Sequence, residues 1–175
     1  MLPDFSNRIG NLVKALETVI VPSLPPENEF AQEQASLVIG HLRLLACQAQ
    51  GAYAFEVGTL RNLQTFATRL LALDNAHRCG QSESLQAALE ALPEELPLLV
   101  DAVAALHRAL GLAIDDWIRD GYTSSDADFK QCVFDTVLDF ARLQSTRERV
   151  WFKENHLDPD TRDLTSMHAM LIGMR

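Results

Sequence analysis

The chain has 175 residues, of which 47% are hydrophobic and 22% charged, a composition typical of a globular protein rather than a disordered one. This length suits one domain with its own hydrophobic core, and we predict a single domain over residues 1–175. Acidic residues outnumber Lys and Arg by 24 to 15, for a net charge of -9, and no basic cluster occurs, which argues against nucleic acid as a partner.

Cellular location follows from three sequence features. No stretch of 18 uncharged apolar residues is present, and the start of the chain lacks the pattern of a secretory signal, so we expect no membrane association. The three cysteines, Cys47, Cys79 and Cys132, are far apart and form no Cys-x-x-Cys pair. They suggest neither a disulfide framework nor a zinc site. A reducing cytoplasm fits this pattern best.

The first predicted element is an amphipathic helix of about four turns. Its apolar residues recur at alternating steps of four and three, which places them on one side of a helix. They are Phe5, Ile9, Leu12, Leu16 and Val19. We expect the helix to end at Pro22, Pro25 and Pro26, because proline lacks an amide hydrogen and disfavours helical angles in the residue before it.

A much longer second helix is predicted between Glu27 and His77, where no proline occurs. About 50 residues at 1.5 Å each would measure roughly 75 Å, whereas a domain of this size has a radius of gyration of roughly 16 Å. The stretch "CQAQGAYAFEVGTLRNL" interrupts its apolar pattern with small residues. Two outcomes are open: the helix bends or breaks between Gly51 and Gly58, or its far half projects and packs against a second copy of the chain.

Three more helices are predicted in the middle of the chain. Leucines at helical spacing from Leu85 to Leu110 indicate a short helix to about residue 91 and a long one that begins between residues 93 and 98 and ends near residue 120. Another long helix is expected to begin with Ser124 or Ser125 as its N-cap and to run to about residue 155.

The C-terminal part contains a further helix start and a methionine-rich segment. Asp158 and Pro159 are a suitable cap and first-turn residue. A short helix then contains Met167, Met170 and Met174. We interpret it as the cover of one end of a helical bundle, with a membrane or partner surface as the alternative.

No alternating strand pattern bounded by turn residues occurs anywhere in the chain, so the predicted fold class is all-α. Short connections favour antiparallel neighbours. We therefore predict an antiparallel up-and-down helical bundle with a long second helix and short peripheral helices.

Chemical motifs give little support for catalysis. Asp74 and His77 are the nearest approach to a metal-binding Glu-x-x-His step, and they lie at a helix end where His77 already suits the helix dipole. His41 is expected to flank the core rather than to bind a metal. Neither a glycine-rich phosphate loop nor a Gly-x-Ser-x-Gly nucleophile motif is present. We predict no metal site and no cofactor, and we identify no catalytic residue.

Glu56 is the one carboxylate that falls on the apolar side of the long helix. A buried carboxylate requires a partner or a hydrated cavity. We hypothesise that Glu56 and Arg147 form an inward ion pair, or share a polar pocket with Tyr53 and Thr59; these four are the predicted ligand-binding residues. The alternative is that Glu56 turns to solvent and that Arg147 lies on the exposed face of its helix.

The segment "LVKALETVIVPSLPPENEFAQEQASLVIGHL", residues 12–42, resembles the start of an uncharacterised bacterial all-helical family. Members of that family are typically encoded beside acyl-CoA dehydrogenases and aminoglycoside-phosphotransferase-like proteins. The resemblance implies an accessory role near acyl-thioester metabolism and brings no catalytic residues with it.

Together these observations favour a non-catalytic interaction or accessory subunit. We expect it to self-associate as a homodimer through the long second helix, and a further protein partner is compatible with this role. The alternative is a protein or enzyme that binds a small apolar or acyl ligand between helices near Glu56.

Overall fold

A computed structural model of the chain describes residues 4–77, 82–155 and 159–173. Within these ranges the backbone forms α-helices and short helical turns but no strand, which confirms the predicted all-α fold. The helices are α1 (Phe5–Ala15), α2 (Glu29–Gln48), α3 (Ala52–His77), α4 (Glu83–Glu90), α5 (Val100–Gly121), α6 (Ala127–Trp151) and α7 (Met167–Ile172). The antiparallel arrangement stays a prediction.

Internal packing divides the described residues into two compact units. The terminal unit combines the residues up to Ala52 with Glu148–Gly173, and the central unit is Tyr53–Arg147. Each unit is described separately below. A single domain over the whole chain stays a prediction.

The terminal unit is built around α1 and α2. Asp4 caps α1 by accepting a hydrogen bond from the Asn7 amide at 2.8 Å. The α-helix ends at Ala15, earlier than the prolines predict, and the chain continues through a wider π-helical turn, Leu16–Ile20, and a tighter 3-10 turn, Val21–Ser23, that contains Pro22. Side chains of α1 and α2 form a small core of three buried residues, Ile9, Val13 and Ile39.

The predicted long helix breaks at the start of the interval that the sequence indicates. α2 ends at Gln48, α3 begins at Ala52, and the Gly51 amide donates to the Gln48 carbonyl at 2.9 Å. α3 then continues through Gly58 without interruption. The first of the two open outcomes is therefore the observed one.

Gly51 lies where other side chains pack directly on the backbone. A Cβ atom at this position would lie 2.7 Å from Leu171 Cδ1 and 3.3 Å from Trp151 Cζ3. The first distance is shorter than any ordinary carbon contact. The small residue at the break thus admits Trp151 and the α7 side chain, both within the terminal unit.

We expect Gly51→Val to destabilise the protein by about 1–3 kcal/mol, because the added methyl groups must displace Leu171 and Trp151. The matched control is Gly40→Ala in α2, where a Cβ meets no atom within 4 Å. That change should stabilise by roughly 0.5–1 kcal/mol, since alanine favours helix over glycine. Urea unfolding followed by circular dichroism measures both, and equal effects of the two variants would contradict the close packing at Gly51.

The central unit contains the larger core. Trp117 and Phe129 pack edge to face with ring centroids 6.0 Å apart, and Phe66 stacks on Phe140 at 4.3 Å. Helices α3, α4, α5 and α6 all contribute fully buried side chains: Leu60, Leu70, Leu85, Val103, Leu110, Phe129 and Val133 are among them. This core fixes the faces of α3, α5 and α6 on which the predicted site residues lie.

Two helix starts in the central unit differ from prediction. α5 begins at Val100, after Pro93 and Pro97 have kept the preceding residues out of helix. The cap of α6 is Asp126, whose Oδ1 accepts the Phe129 amide at 3.0 Å, and not Ser124 or Ser125. Ser124 instead accepts the Asp126 amide and so supports the capping residue.

The helix predicted from Pro159 onward is not formed, and Asp158 lies outside the described residues. Residues 159–166 are irregular, and α7 starts at Met167 with Ser166 as its cap. Long-range donors occupy carbonyl groups in this segment: Arg149 donates to the Asp160 carbonyl at 2.6 Å and Lys153 to the Leu164 carbonyl at 2.9 Å. These contacts hold the segment as a loop. Met174 lies outside the described residues.

Candidate functional site

Arg147 lies inside the central unit with only 5% of its surface exposed. Its Nη2 donates to the Phe55 carbonyl at 3.2 Å and to Thr59 Oγ1 at 3.3 Å. The guanidinium also lies over the Phe55 ring, 5.1 Å from the centroid, which is a cation–π distance. Arg147 is thus a buried residue that connects α6 to α3.

Thr59 completes this small polar cluster. Its hydroxyl donates to the Phe55 carbonyl at 3.0 Å while accepting from Arg147. A threonine that bonds back to the carbonyl four residues earlier is held in one rotamer. The structure therefore brings together two of the four predicted ligand-binding residues, Thr59 and Arg147.

Glu56 is paired with His107 of α5. Its Oε2 lies 2.8 Å from His107 Nδ1, and both side chains are about a quarter exposed. The hypothesised ion pair between Glu56 and Arg147 is not formed. One step along an α-helix turns by about 100°, so Glu56 faces away from the direction in which Phe55 and Thr59 meet Arg147.

Tyr53, the fourth predicted residue, packs against the hydrophobic core of the central unit. It sits in the first turn of α3, one turn before Glu56 and Val57. The four predicted residues thus lie in three places. Tyr53 makes a core contact, Thr59 and Arg147 belong to a buried polar cluster, and Glu56 belongs to a partly exposed carboxylate–imidazole pair.

A cleft of about 400 Å³ opens beside these groups in the central unit. It is lined by Thr59 and Leu63 of α3, by five residues of α5 and by Phe140 and Gln144 of α6. The α5 residues are His107, Arg108, Gly111, Leu112 and Asp115. A volume of this size is within the range of small-molecule sites.

None of the five α5 residues was predicted as a site residue from the sequence, although a signal exists for three of them. His107, Gly111 and Asp115 recur at steps of four, which places them on one face of α5 beside the leucines of the core. A row of non-aliphatic residues next to a core face indicates a surface that the chain itself does not cover.

Asp74 and His77 are the two residues that come nearest to a metal-binding motif in the sequence. Asp74 is buried and accepts a hydrogen bond from the Ser82 hydroxyl, while the His77 side chain lies outside the described part. In the described ranges no cluster of three or more His, Cys, Asp or Glu side chains is placed to hold a metal ion. His41 lies exposed on α2.

Comparisons with known proteins add no assignment. No family model, curated protein or solved structure matches this chain. The family that residues 12–42 resemble therefore stays a prediction. In the residues that the structure describes, no helix combines the length and apolar character needed to cross a membrane.

Proposed function

We propose that the protein is a helical interaction subunit that self-associates through one surface of its terminal unit. The supporting observation is a set of seven large apolar side chains on and beside α1 and α2 that are 42–71% exposed. We call this set the α1/α2 face. It consists of Phe5, Leu12, Val19, Phe30, Leu37, Val38 and Leu45.

The spacing of these residues places them along one side of each segment. Phe30 and Leu37 are seven residues apart, as are Val38 and Leu45, which corresponds to about two turns of helix. Phe5 of α1 and Leu45 of α2 also line one open groove of about 630 Å³, together with Trp151. Phe5 and Leu45 therefore lie in the lining of one groove of the terminal unit.

The apolar area supports an interface rather than an ordinary surface. Seven side chains of this size, each about half exposed, present on the order of 600 Å². A soluble monomer rarely exposes a contiguous apolar patch larger than a few hundred Å². A stable interface of standard size removes about 800 Å² from each partner. The α1/α2 face supplies most of that area.

A second copy is the occupant that we favour. Two helices that share an apolar face pair with their own copy about a two-fold axis and form a four-helix arrangement, the commonest closed symmetry of oligomers. The chain carries a net charge of -9, so two copies repel each other at long range and apolar contact must supply the association. Added salt should then strengthen the dimer, because it screens this repulsion.

The test is the mass of the protein in solution. Val38→Glu with Leu45→Glu places two carboxylates in the α1/α2 face, and both positions are already about half exposed, so folding should be retained. We expect sedimentation equilibrium to show a dimer for the unmodified chain and a monomer for this variant. The matched control is Phe134→Glu on α6, an equally exposed apolar residue of the central unit, which should remain dimeric.

Three results would count against self-association. They are a monomer at all concentrations of the unmodified chain, a dimer that survives both glutamates, and a dimer that is lost only with Phe134→Glu. A monomer that instead holds a co-purified protein on the same face would replace the second copy with a different partner.

The proposal also includes a cellular location and a metabolic context for the protein. Cys47 and Cys132 are unpaired thiols, which supports a reducing compartment and hence the cytoplasm. The resemblance of residues 12–42 supports an accessory role near acyl-thioester metabolism. Both are open to direct measurement by fractionation of cells and by co-purification.

A further inference from the structure

The cleft of about 400 Å³ that is lined by five residues of α5, which we call the α5 cleft, supports an inference that does not depend on self-association. His107 lines it with an imidazole whose Nδ1 is held at 2.8 Å by Glu56. A ring held through Nδ1 keeps Nε2 as its remaining polar atom. Glu56 thus orients a ligand-facing group instead of pairing with Arg147.

Arg108 brings a positive charge to the same cleft. Its side chain is exposed and makes no hydrogen bond or ion pair with the described part of the chain. A guanidinium is the side chain best suited to bind a planar carboxylate through two hydrogen bonds. Arg108 and His107 together place a guanidinium and an imidazole ring in the lining of the cleft.

The remaining walls are largely apolar. Leu63 and Phe140 belong to the packed side of the cleft, where Phe140 is fixed by its stacking on Phe66. Leu112 of α5 also lines the cleft and is 67% exposed. A ligand with an apolar body would cover Leu112 and remove this area from water.

Gly111 leaves the middle of the cleft open. It lies inside α5, where glycine costs roughly 1 kcal/mol relative to alanine, yet a Cβ there would meet no atom within 4 Å. Close packing within the described residues therefore does not require this glycine. A side chain at position 111 would project into the cleft between His107 and Asp115.

Asp115 limits what can occupy the far end. It lies seven residues beyond Arg108, or about 10 Å along the helix axis. Its carboxylate disfavours a second negative charge on a ligand whose first charge is bound at Arg108. The cleft is thus polarised, with a cation at one end, an anion at the other and apolar walls between them.

From this arrangement we infer that the α5 cleft binds a small monocarboxylate with an apolar body. The carboxylate binds Arg108 beside the His107 ring, and the body lies over Leu63, Leu112 and Phe140. Glu56 is a positioning residue that fixes the His107 ring. Dicarboxylates and uncharged molecules of the same length bind more weakly.

Octanoate, octanedioate and 1-octanol are the probes, measured on the full chain by calorimetry and by amide chemical shifts. We expect octanoate to shift the amides of Leu63, Leu112 and Phe140. Octanedioate and 1-octanol should each bind several-fold more weakly. Arg108→Gln should raise the Kd for octanoate by about two- to fivefold, the effect of one exposed charge pair.

Gly111→Leu is the decisive variant. It should keep the helical circular dichroism of the unmodified chain, since the added side chain enters open space, and it should abolish octanoate binding. Gly40→Leu, which also enters open space but on α2, is the matched control and should bind normally. If Gly111→Leu fails to fold, Arg108→Gln still tests the site, because Arg108 is exposed and has no described partner to lose.

The inference is overturned if octanoate does not bind at millimolar concentration. It is equally overturned if binding persists in folded Gly111→Leu, if Arg108→Gln leaves the Kd unchanged, or if 1-octanol binds as tightly as octanoate. The dimer experiment on the α1/α2 face has no influence on these outcomes.

Discussion

Replacing Arg147 with leucine is expected to lower the free energy of unfolding by about 2–3 kcal/mol. A hydrogen bond to a charged group contributes roughly 1.5–3 kcal/mol, and the bonds of Arg147 to the Phe55 carbonyl and to Thr59, at 3.2 and 3.3 Å, are long and therefore weak examples. The variant also loses the contact of the guanidinium with the Phe55 ring. The expected loss is accordingly at the lower end of the sum.

The opposing effect is the cost of burying a guanidinium. Replacement of a buried charge by an apolar residue of similar volume can be neutral or even stabilising, because no charge has to leave water. In Arg147 the guanidinium is bonded to α3 and stacked on an aromatic ring, so part of its lost hydration is replaced. We therefore expect the loss of these hydrogen bonds to outweigh the stability gained by no longer burying a charge.

Chemical denaturation measures this balance, with Arg142→Leu on the same helix as the control. Arg142 is exposed and pairs with Asp139 at 3.7 Å, and its replacement should change stability by no more than about 0.5 kcal/mol. A double-mutant cycle of Arg147→Leu with Thr59→Val should show coupling, whereas a cycle with Glu56→Leu should be nearly additive. An Arg147→Leu variant as stable as the unmodified chain would show that desolvation dominates.

Helices and their approximate ends were predictable because the pattern that defines them is local. Apolar residues at helical spacing identify α1 without any knowledge of tertiary contacts, and Pro22 lies in the last short helical turn that follows it. A bend or break between Gly51 and Gly58 was predictable from the length of the helix and its small residues, but the exact residues at which it occurs were not. Its position depends on Trp151 and Leu171, which are distant in sequence and pack on the Gly51 backbone.

The candidate site shows the same division. The irregular position of Glu56 and the interruption of the apolar row at Arg147 were visible in the sequence. Which partner each would meet was not, because it depends on the relative rotation of α3, α5 and α6 about their axes. A rotation of one residue, about 100°, separates the observed pair of Glu56 and His107 from the hypothesised pair of Glu56 and Arg147.

The buried polar cluster of Phe55, Thr59 and Arg147 and the α5 cleft both include residues of α3, but their roles differ. Thr59 belongs to both: its hydroxyl is engaged by Phe55 and Arg147, and its side chain lines the cleft. Arg147 therefore fixes one wall of the cleft without lining it. Variants of Arg147 should change stability more than ligand affinity, while variants of Arg108 should do the reverse.

The largest loss of stability is expected for Phe129→Ala. Phe129 is fully buried, packs its ring against Trp117 and Gly121, and belongs to the main core of the central unit. Truncation of a buried phenylalanine removes its transfer free energy and leaves a cavity, which typically costs about 3–5 kcal/mol. This is a large part of the 5–15 kcal/mol by which most domains are stable.

Trp117→Phe is the informative comparison, because it acts on the other side of the same ring contact. It also removes volume, but the Trp117 indole N–H is buried without a hydrogen-bond partner in the described residues. Removing a buried unsatisfied donor recovers part of the cost of the cavity. We expect Trp117→Phe to destabilise by less than half as much as Phe129→Ala in thermal and urea unfolding. Equal losses of stability in the two variants would indicate that the indole N–H is hydrogen-bonded in solution. They would also show that the edge-to-face contact does not account for the stability of the core.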